Sequence, residues 1–159
     1  MGTLPHDVRI LTMELISKNI EETAEIGLKF LRFVKQNSKK AVVVGLKGDL
    51  GSGKTAFVKA IAEHLNIPDV ITSPTFVIQK KYPLEKRFKG FKNLMHIDAY
   101  RLKNGGDLKK IGWSEIFDNR ENLIFIEWAD TVEDILPKNA IEISFEFVDE
   151  NTRKIKFNF

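Results

Sequence analysis

The stretch GDLGSGKT, residues 48–55, has the residue types and the spacing that bind phosphate. Gly48, four intervening residues, and then Gly53, Lys54 and Thr55 satisfy the P-loop pattern GxxxxGK[ST]. The glycines let backbone N–H groups surround an anion, and a helix that starts near Lys54 adds the positive end of its dipole. The predicted nucleotide-binding residues are Gly48, Asp49, Leu50, Gly51, Ser52, Gly53, Lys54, Thr55 and Ala56.

The lysine and the hydroxyl residue of this pattern have separate roles. Lys54 supplies positive charge to the β- and γ-phosphates, and the Thr55 hydroxyl ligates the Mg²⁺ that bridges them. The chain has no NKxD motif to read a guanine base, so ATP and Mg²⁺ are the expected cofactors. A small-molecule kinase is the alternative, because it would share every phosphate-site residue, although no arginine-rich lid and no second acceptor pocket are visible in the sequence.

Two acidic residues follow apolar segments that read as buried strands. Asp98 comes after LMHI and Glu127 after LIFI. Ligands of open α/β sheets bind beyond the carboxyl ends of the strands, and Mg²⁺ usually takes one or two carboxylates together with water. We therefore expect Thr55, Asp98 and Glu127 at the metal, with one acid near the ion and the other orienting the attacking water.

Four other side chains near these segments have more than one interpretation. Thr75, in SPTF, is either a hydroxyl that senses the γ-phosphate or an ordinary turn threonine, and Trp128 either shields the site or belongs to the core. Arg101 is a transition-state charge, a partner contact or a member of a salt bridge. His96 lies two residues before Asp98 and so either orients that acid or is a core histidine.

Composition favours one globular domain over residues 1–159. Hydrophobic residues make up 43% and charged residues 30%, and the net charge is only +3, which is too slight to indicate nucleic-acid binding across the whole surface. The absence of cysteine excludes disulfides and thiolate metal sites. No apolar run approaches the ~20 residues that span a bilayer, and MGTLPHDVRI does not resemble a signal peptide, so a cytoplasmic protein without membrane contact is expected.

The hydrophobic patterning predicts an α/β fold, with a mostly parallel central sheet flanked by helices and an antiparallel hairpin at one edge. AVVVGLKG reads as a strand buried on both faces, and the helix after it should bury Phe57, Ile61 and Leu65. AIEISFEFV and RKIKFNF alternate as the two strands of the edge hairpin.

The first segments of the chain are predicted to be a strand over residues 8–13 and a helix that Ser17 caps and that continues to about Lys35. Residues at helical spacing should form its buried face. They are Ile20, Ala24, Leu28, Leu31 and Val34.

Four motifs in order, GDLGSGKT, SPTF, HIDAYRL and IEWAD, together resemble the TsaE family of small bacterial ATPases over roughly residues 10–145. The resemblance implies a P-loop NTPase fold and a cytoplasmic Mg-ATPase that binds the TsaB–TsaD pair. That pair transfers a threonylcarbamoyl group to adenosine 37 of tRNAs that read codons beginning with A. ATP hydrolysis would reset the pair between turnovers.

The resemblance also implies roles for matching residues. It gives Thr75 a switch role, Asp98 a place at the metal, and the Glu127–Trp128 pair a part in hydrolysis beside Lys54 and Thr55. This chain has Ala56 where the family commonly has a second threonine, so a secondary polar contact is expected to be missing. EWAD also differs from the proline-containing version that often follows the tryptophan, so Asp130 receives no role.

A basic stretch, residues 80–92, matches no motif of the family. It holds six basic residues against Glu85 and interleaves them with Tyr82, Phe88 and Phe91. Lysines neutralise phosphates and aromatic rings stack on exposed bases, so contact with tRNA or with an acidic partner surface is one hypothesis. A solvated hairpin is the other. Contact with tRNA is accordingly expected either directly or through the partner complex.

Overall fold

Strands and helices alternate along most of the chain. The structure, a computed structural model, describes residues 11–37, 39–68, 71 and 78–159. The strands are β1 (Thr12–Ser17), β2 (Val42–Lys47), β3 (Gln79–Phe88), β4 (Phe91–Asp98), β5 (Asn122–Glu127), β6 (Ile141–Phe147) and β7 (Arg153–Asn158). The helices are α1 (Ile20–Phe33), α2 (Lys54–His64), α3 (Gly105–Lys110) and α4 (Trp113–Asp118), with a 3₁₀ segment at Ala129–Ile135.

These strands form one mixed sheet in the order β1-β7-β6-β2-β5-β4-β3. The neighbours β6, β2, β5 and β4 are parallel, whereas the pairs β1–β7, β6–β7 and β3–β4 are antiparallel. The predicted α/β class is confirmed, but the prediction of a mostly parallel sheet is wrong, since half of these pairings are antiparallel.

The predicted C-terminal hairpin exists, but its position at the edge of the sheet is wrong. β6 pairs with β2 on one side and with β7 on the other, and β1 then covers β7. Strand alternation reports which face of a strand is buried and not which strands lie beside it. The strand that covers β7 lies about 140 residues earlier in the sequence, so local patterning does not reveal it.

The sheet separates two apolar cores, which explains the unbroken apolar sequence of β2. Val44 and Leu46 face the core under α1 and α2, and Val43 faces the core under α3, α4 and the 3₁₀ segment. The four middle residues of β2 are buried, as the sequence predicts. The predicted inner side of α2 is also confirmed, because Phe57, Ile61 and Leu65 are all buried.

Helix α1 begins later than predicted. Ser17 is the last residue of β1, and its hydroxyl is hydrogen-bonded to the Thr23 hydroxyl. Asn19 is the N-cap instead, and its side-chain oxygen accepts from the Glu22 N–H at 2.8 Å. The cap is a polar residue of the expected kind. The strand predicted at residues 8–13 is β1, at Thr12–Ser17, and residues 8–10 lie outside the described part of the chain.

The predicted buried face of α1 is only partly correct. Leu31 and Val34 are buried, but Ile20 is 71% and Leu28 40% exposed. In an α-helix, a step of four residues rotates about 40° beyond a full turn. Residues chosen mostly at steps of four therefore move progressively around the helix and away from its buried face. The residues of α1 that are buried follow mixed steps of three and four. They are Thr23, Ile26, Gly27, Phe30 and Leu31.

Parallel pairing brings the ends of several strands to one edge of the sheet. Asp98, the last residue of β4, lies opposite Glu127, the last residue of β5, and Glu127 also lies opposite Leu46 of β2. The glycine-rich loop (residues 48–55) follows β2 at this edge, and the turn after β6 reaches the same edge. No helix in the described residues is long and apolar enough to cross a membrane.

The basic stretch, residues 80–92, forms β3, a tight turn and the start of β4. Part of its charge has structural partners: Lys92 and Arg87 contact Glu121 at 2.8 and 3.7 Å. The Lys89 ammonium donates to the carbonyls of Leu31, Arg32 and Val34, at 2.8, 2.9 and 3.1 Å. Lys89 therefore caps the C-terminus of α1, where the helix dipole is negative and carbonyls lack helical partners.

We predict that Lys89→Met lowers the free energy of unfolding by about 1–2 kcal/mol, because the carbonyls lose a charged donor while the alkyl stem is retained. Chemical denaturation measures the change. Lys86→Met is the matched control, since Lys86 is exposed on β3 three residues before Lys89, and its effect should stay within about 0.5 kcal/mol. Equal stability of the two variants would contradict the capping role.

Candidate functional site

The glycine-rich loop turns the chain from β2 into α2 through backbone conformations that favour glycine. Gly48 has φ +148° and Gly53 has φ +108°. A Cβ on Gly48 would lie 2.6 Å from the Phe145 carbonyl oxygen, so no larger residue fits there. Gly53 is the N-cap of α2 and Lys54 its first residue. The free N–H groups of the first helical turn consequently face the loop, which is the arrangement that binds anions.

Lys54 is held inside this loop. It is 5% exposed, and its ammonium donates to the carbonyls of Gly48 and Asp49, the latter at 3.0 Å. The same nitrogen lies 4.2 Å from the centroid of the Trp128 ring. Burial lowers the pKa of Lys54, and the negative charge of Glu127 is the largest opposing influence. An anion bound in the loop would favour the charged ammonium further.

Glu127 joins two side chains from other elements. The Thr55 hydroxyl donates to Glu127 Oε1 at 2.6 Å, and His96 Nε2 lies 3.2 Å from the same oxygen. Glu127 is 3% exposed and His96 is fully buried. With an ionised Glu127 carboxylate, which only accepts hydrogen bonds, His96 would donate from Nε2. Of the two acids at this edge, His96 thus orients Glu127, whereas the sequence suggested Asp98.

Trp128 faces the site. Its backbone adopts the left-handed conformation, with φ 57°, which is uncommon for a bulky residue and is typical of functional sites when it occurs. The indole packs against Tyr100, with ring centroids 5.0 Å apart, and lies against the Lys54 ammonium. The Tyr100 N–H in turn donates to Asp98 Oδ1 at 2.9 Å. These contacts link the ends of β4 and β5 to the loop.

A cavity of about 820 Å³ opens over the loop. This volume lies within the roughly 300–1,000 Å³ that is usual for small-molecule and cofactor sites. One wall is the start of α1, including Asn19 and Ile20, and another is the turn after β6 with Glu150, followed by Arg153 at the start of β7. The predicted residues that line the cavity are Leu50, Gly51, Ser52, Gly53, Lys54, Thr55, Ala56, Asp98, Glu127 and Trp128.

Some predicted site residues lie elsewhere. Gly48 and Asp49 do not line the cavity and contribute carbonyl acceptors to Lys54 instead. Arg101 is exposed and is not part of the cavity wall. Thr75 lies outside the described residues.

Three parts of the cavity wall were not predicted from the sequence. Tyr100 follows Asp98 by two residues in HIDAYRL, so its place near the site could have been predicted from the sequence. The start of α1 and the turn after β6 carry no local signal, because only the tertiary fold brings them to the loop.

The donor groups at the edge of the sheet suit Mg²⁺. The Thr55 hydroxyl and the Glu127 carboxylate are in contact, and Asp98 lies opposite Glu127 on the neighbouring strand. Within the described residues no three His, Cys, Asp or Glu side chains form a metal cluster. A hydroxyl with one or two carboxylates matches the partial protein coordination that Mg²⁺ takes when phosphate oxygens and water complete its shell.

Comparison with known proteins gives consistent results. The profile of the family "Threonylcarbamoyl adenosine biosynthesis protein TsaE" matches residues 17–155. The chain is 34% identical to the tRNA threonylcarbamoyladenosine biosynthesis protein TsaE of Bacillus subtilis, over 87% of this chain and 80% of that protein. It is also 34% identical to the protein of the same name from Aquifex aeolicus, over 91% of this chain and 97% of that one.

A solved structure is similar as well. The crystal structure of YdiB from Bacillus subtilis superposes with a TM-score of 0.72 at 30% identity, covering 94% of this chain and 86% of that chain. The family match extends over most of the chain, from the end of β1 to the middle of β7, and so includes every element that lines the cavity. The chain therefore belongs to the TsaE family, whose members are involved in tRNA threonylcarbamoyladenosine biosynthesis.

Proposed function

We propose that this protein is a Mg-dependent ATPase with a P-loop NTPase fold, and that it acts in the cytoplasm as an accessory subunit of tRNA threonylcarbamoyladenosine modification. The observation that carries the proposal is the contact of Thr55 with Glu127, at 2.6 Å, beside Lys54 in the wall of one cavity. A phosphate-loop hydroxyl, a strand-end acid and a buried lysine at one place are the groups that phosphoryl transfer needs.

The proposed binding mode uses hydrogen-bond donors that lie together at the start of α2. The N–H groups at the start of α2 and the Lys54 ammonium bind the phosphate chain of ATP, in place of the carbonyls of Gly48 and Asp49. Thr55, Asp98 and Glu127 would hold Mg²⁺, which would supply positive charge to the phosphates. The Trp128 ring covers the Lys54 ammonium, with its centroid 4.2 Å from that nitrogen.

The proposed hydrolytic role belongs to Glu127. Its carboxylate accepts a proton from a water whose oxygen attacks the γ-phosphorus, while the bond from that phosphorus to the bridging oxygen breaks and ADP leaves. His96 is a positioning residue in this scheme, since its Nε2 holds Oε1 of Glu127 from the buried side. Thr75 retains the switch role that the family resemblance gives it.

The proposed partner is the TsaB–TsaD pair. Membership of the TsaE family supports a role in this pathway. Apolar side chains at the mouth of the cavity support a partner that closes over the site, because Leu50 is 88% and Tyr100 59% exposed. A partner that excludes water there would make hydrolysis depend on assembly.

Substitution of Lys54 and Glu127 should separate binding from hydrolysis. Lys54→Ala removes the charge that stabilises the γ-phosphoryl group, and turnover should fall by roughly 100-fold or more. Glu127→Gln keeps the shape of the side chain and should lose a comparable factor in turnover with a smaller loss of ATP affinity. Calorimetric titration with ATP and phosphate-release assays measure both quantities. An equal loss of affinity in the two variants would contradict this division of roles.

Phosphate release from Mg-ATP, measured with and without the TsaB–TsaD pair, tests the function itself. We expect slow release by the protein alone, acceleration by the pair, and no release above background with Lys54→Ala. An equal rate of phosphate release with and without the TsaB–TsaD pair would contradict the role of an accessory subunit. Transfer of label from ATP to a metabolite, rather than to water, would identify a small-molecule kinase instead.

Contact with tRNA is proposed through the exposed lysines of β3. Lys81 and Lys86 are exposed, whereas Lys89 caps α1. Exchange of Lys81 and Lys86 for serine should weaken tRNA binding. It should also make the slope of log affinity against log salt concentration shallower, by an amount that corresponds to about two phosphate contacts. Lys109 and Lys110, exposed on α3, are the matched control pair for the same exchange. If the variant bound tRNA as tightly as the wild type, both alone and in complex with the partner pair, these lysines would not contact tRNA. Contact with tRNA would then be made by the partners.

A further inference from the structure

Arg153, the first residue of β7, reaches across to the glycine-rich loop. Its Nη2 donates to the Gly51 carbonyl at 3.2 Å. Its Nη1 donates to the carbonyls of Asp149 and Thr152, at 2.6 and 3.0 Å, within the turn that precedes it. The guanidinium carbon lies 4.6 Å from the centroid of the Phe147 ring. The guanidinium is therefore held at a defined place in the cavity wall.

Arg153 forms no direct ion pair with a carboxylate among the described residues, although the pKa of the nearby Asp149 is lowered mainly by the Asn151 N–H and in smaller part by the charge of Arg153. All three of its hydrogen bonds go to backbone carbonyls, which are neutral. The nearby Asp149 carboxylate accepts from the N–H groups of Asn151 and Thr152 instead. A guanidinium has five N–H donors in a planar fork, so donors remain that no described residue accepts. A positive charge with spare donors on a cavity wall is suited to an anionic ligand.

The position of Arg153 relative to the loop identifies that ligand. A Cβ on Gly53 would lie 3.9 Å from Arg153 Cγ, so the stem of the side chain passes directly beside the loop. The arginine occurs there because β6 runs parallel to β2 and therefore delivers its following turn to the same edge. Lys54, within the loop, contacts the Trp128 ring, and Arg153 contacts the loop from the start of β7. A phosphate chain on the loop would lie in a cavity that both Lys54 and Arg153 line.

We propose that Arg153 is a second phosphate-binding cation of the nucleotide site, whose guanidinium contacts the phosphate chain of ATP or ADP. This inference rests on the proposed nucleotide-binding function and adds a binding residue to it. Arginine suits the position because its planar fork binds phosphate oxygens in pairs, whereas lysine offers only a point charge. Phe147 and the turn carbonyls fix the plane of the fork, which reduces the entropy lost on binding.

The test compares ADP and ATP affinity, in the presence of Mg²⁺, among wild type, Arg153→Gln and Arg153→Lys by isothermal titration calorimetry. Arg153→Gln should weaken ADP binding roughly tenfold at low salt, and Arg153→Lys should restore part of the loss. Added salt should weaken the wild type more than Arg153→Gln, because the variant lacks one charge contact. Thermal unfolding of each variant shows whether the protein is folded at the assay temperature.

Lys154→Gln is the matched control. It removes one positive charge from the same strand, but Lys154 points to the other face and pairs with Glu14 at 3.7 Å. Its ADP affinity should stay close to that of the wild type. Arg153→Gln with wild-type affinity, or with an unaltered salt dependence, would overturn the role of Arg153 alone. A wild-type protein that binds neither ADP nor ATP would overturn the proposed function as well.

Discussion

Parallel pairing of β6, β2, β5 and β4 is the constraint on which the candidate site depends. Strands that run in one direction end at one edge, so residues that are far apart in sequence meet there without any local signal. The register places Asp98 opposite Glu127 and Glu127 opposite Leu46, one residue before the end of β2. A shift of one residue in either pairing would turn an acid away from the loop and into an apolar core. The apolar side chains on both faces of the sheet fix that register.

The cluster of charged groups at this edge stabilises the fold poorly. Lys54, Asp98 and Glu127 are each no more than 5% exposed, and burying charge is unfavourable unless the charges have close partners. The Nδ1 atom of His96 is also buried with no hydrogen-bond partner among the described residues. Together with the left-handed backbone of Trp128, these features are typical of a site that is retained for its chemistry. The aromatic packing of Phe30, Phe57, Phe125 and Phe157 below it provides compensating stability.

The sequence predicted the parts of the site whose chemistry is local. Lys54 and Thr55 were identifiable because the P-loop pattern fixes residue types within eight positions, and Asp98 and Glu127 because each ends an apolar strand. The sequence left His96 either as a core histidine or as a residue that orients Asp98; its contact with Glu127 instead depends on the pairing between β4 and β5. Arg153 and the start of α1 were not predictable, since their approach to the loop depends on the strand order. The internal position of the C-terminal hairpin was missed for the same reason, and the capping role of Lys89 joins residues more than 50 positions apart.

A crystal structure of the protein with Mg²⁺ and a non-hydrolysable ATP analogue is the most direct measurement of whether this edge of the sheet is a nucleotide site. We expect the phosphates on the N–H groups at the start of α2, the Lys54 ammonium on phosphate oxygens rather than on the carbonyls of Gly48 and Asp49, and the Thr55 hydroxyl on the metal. An analogue bound elsewhere, or bound with Lys54 and Thr55 still on their protein partners, would contradict the assignment of the glycine-rich loop as the phosphate site.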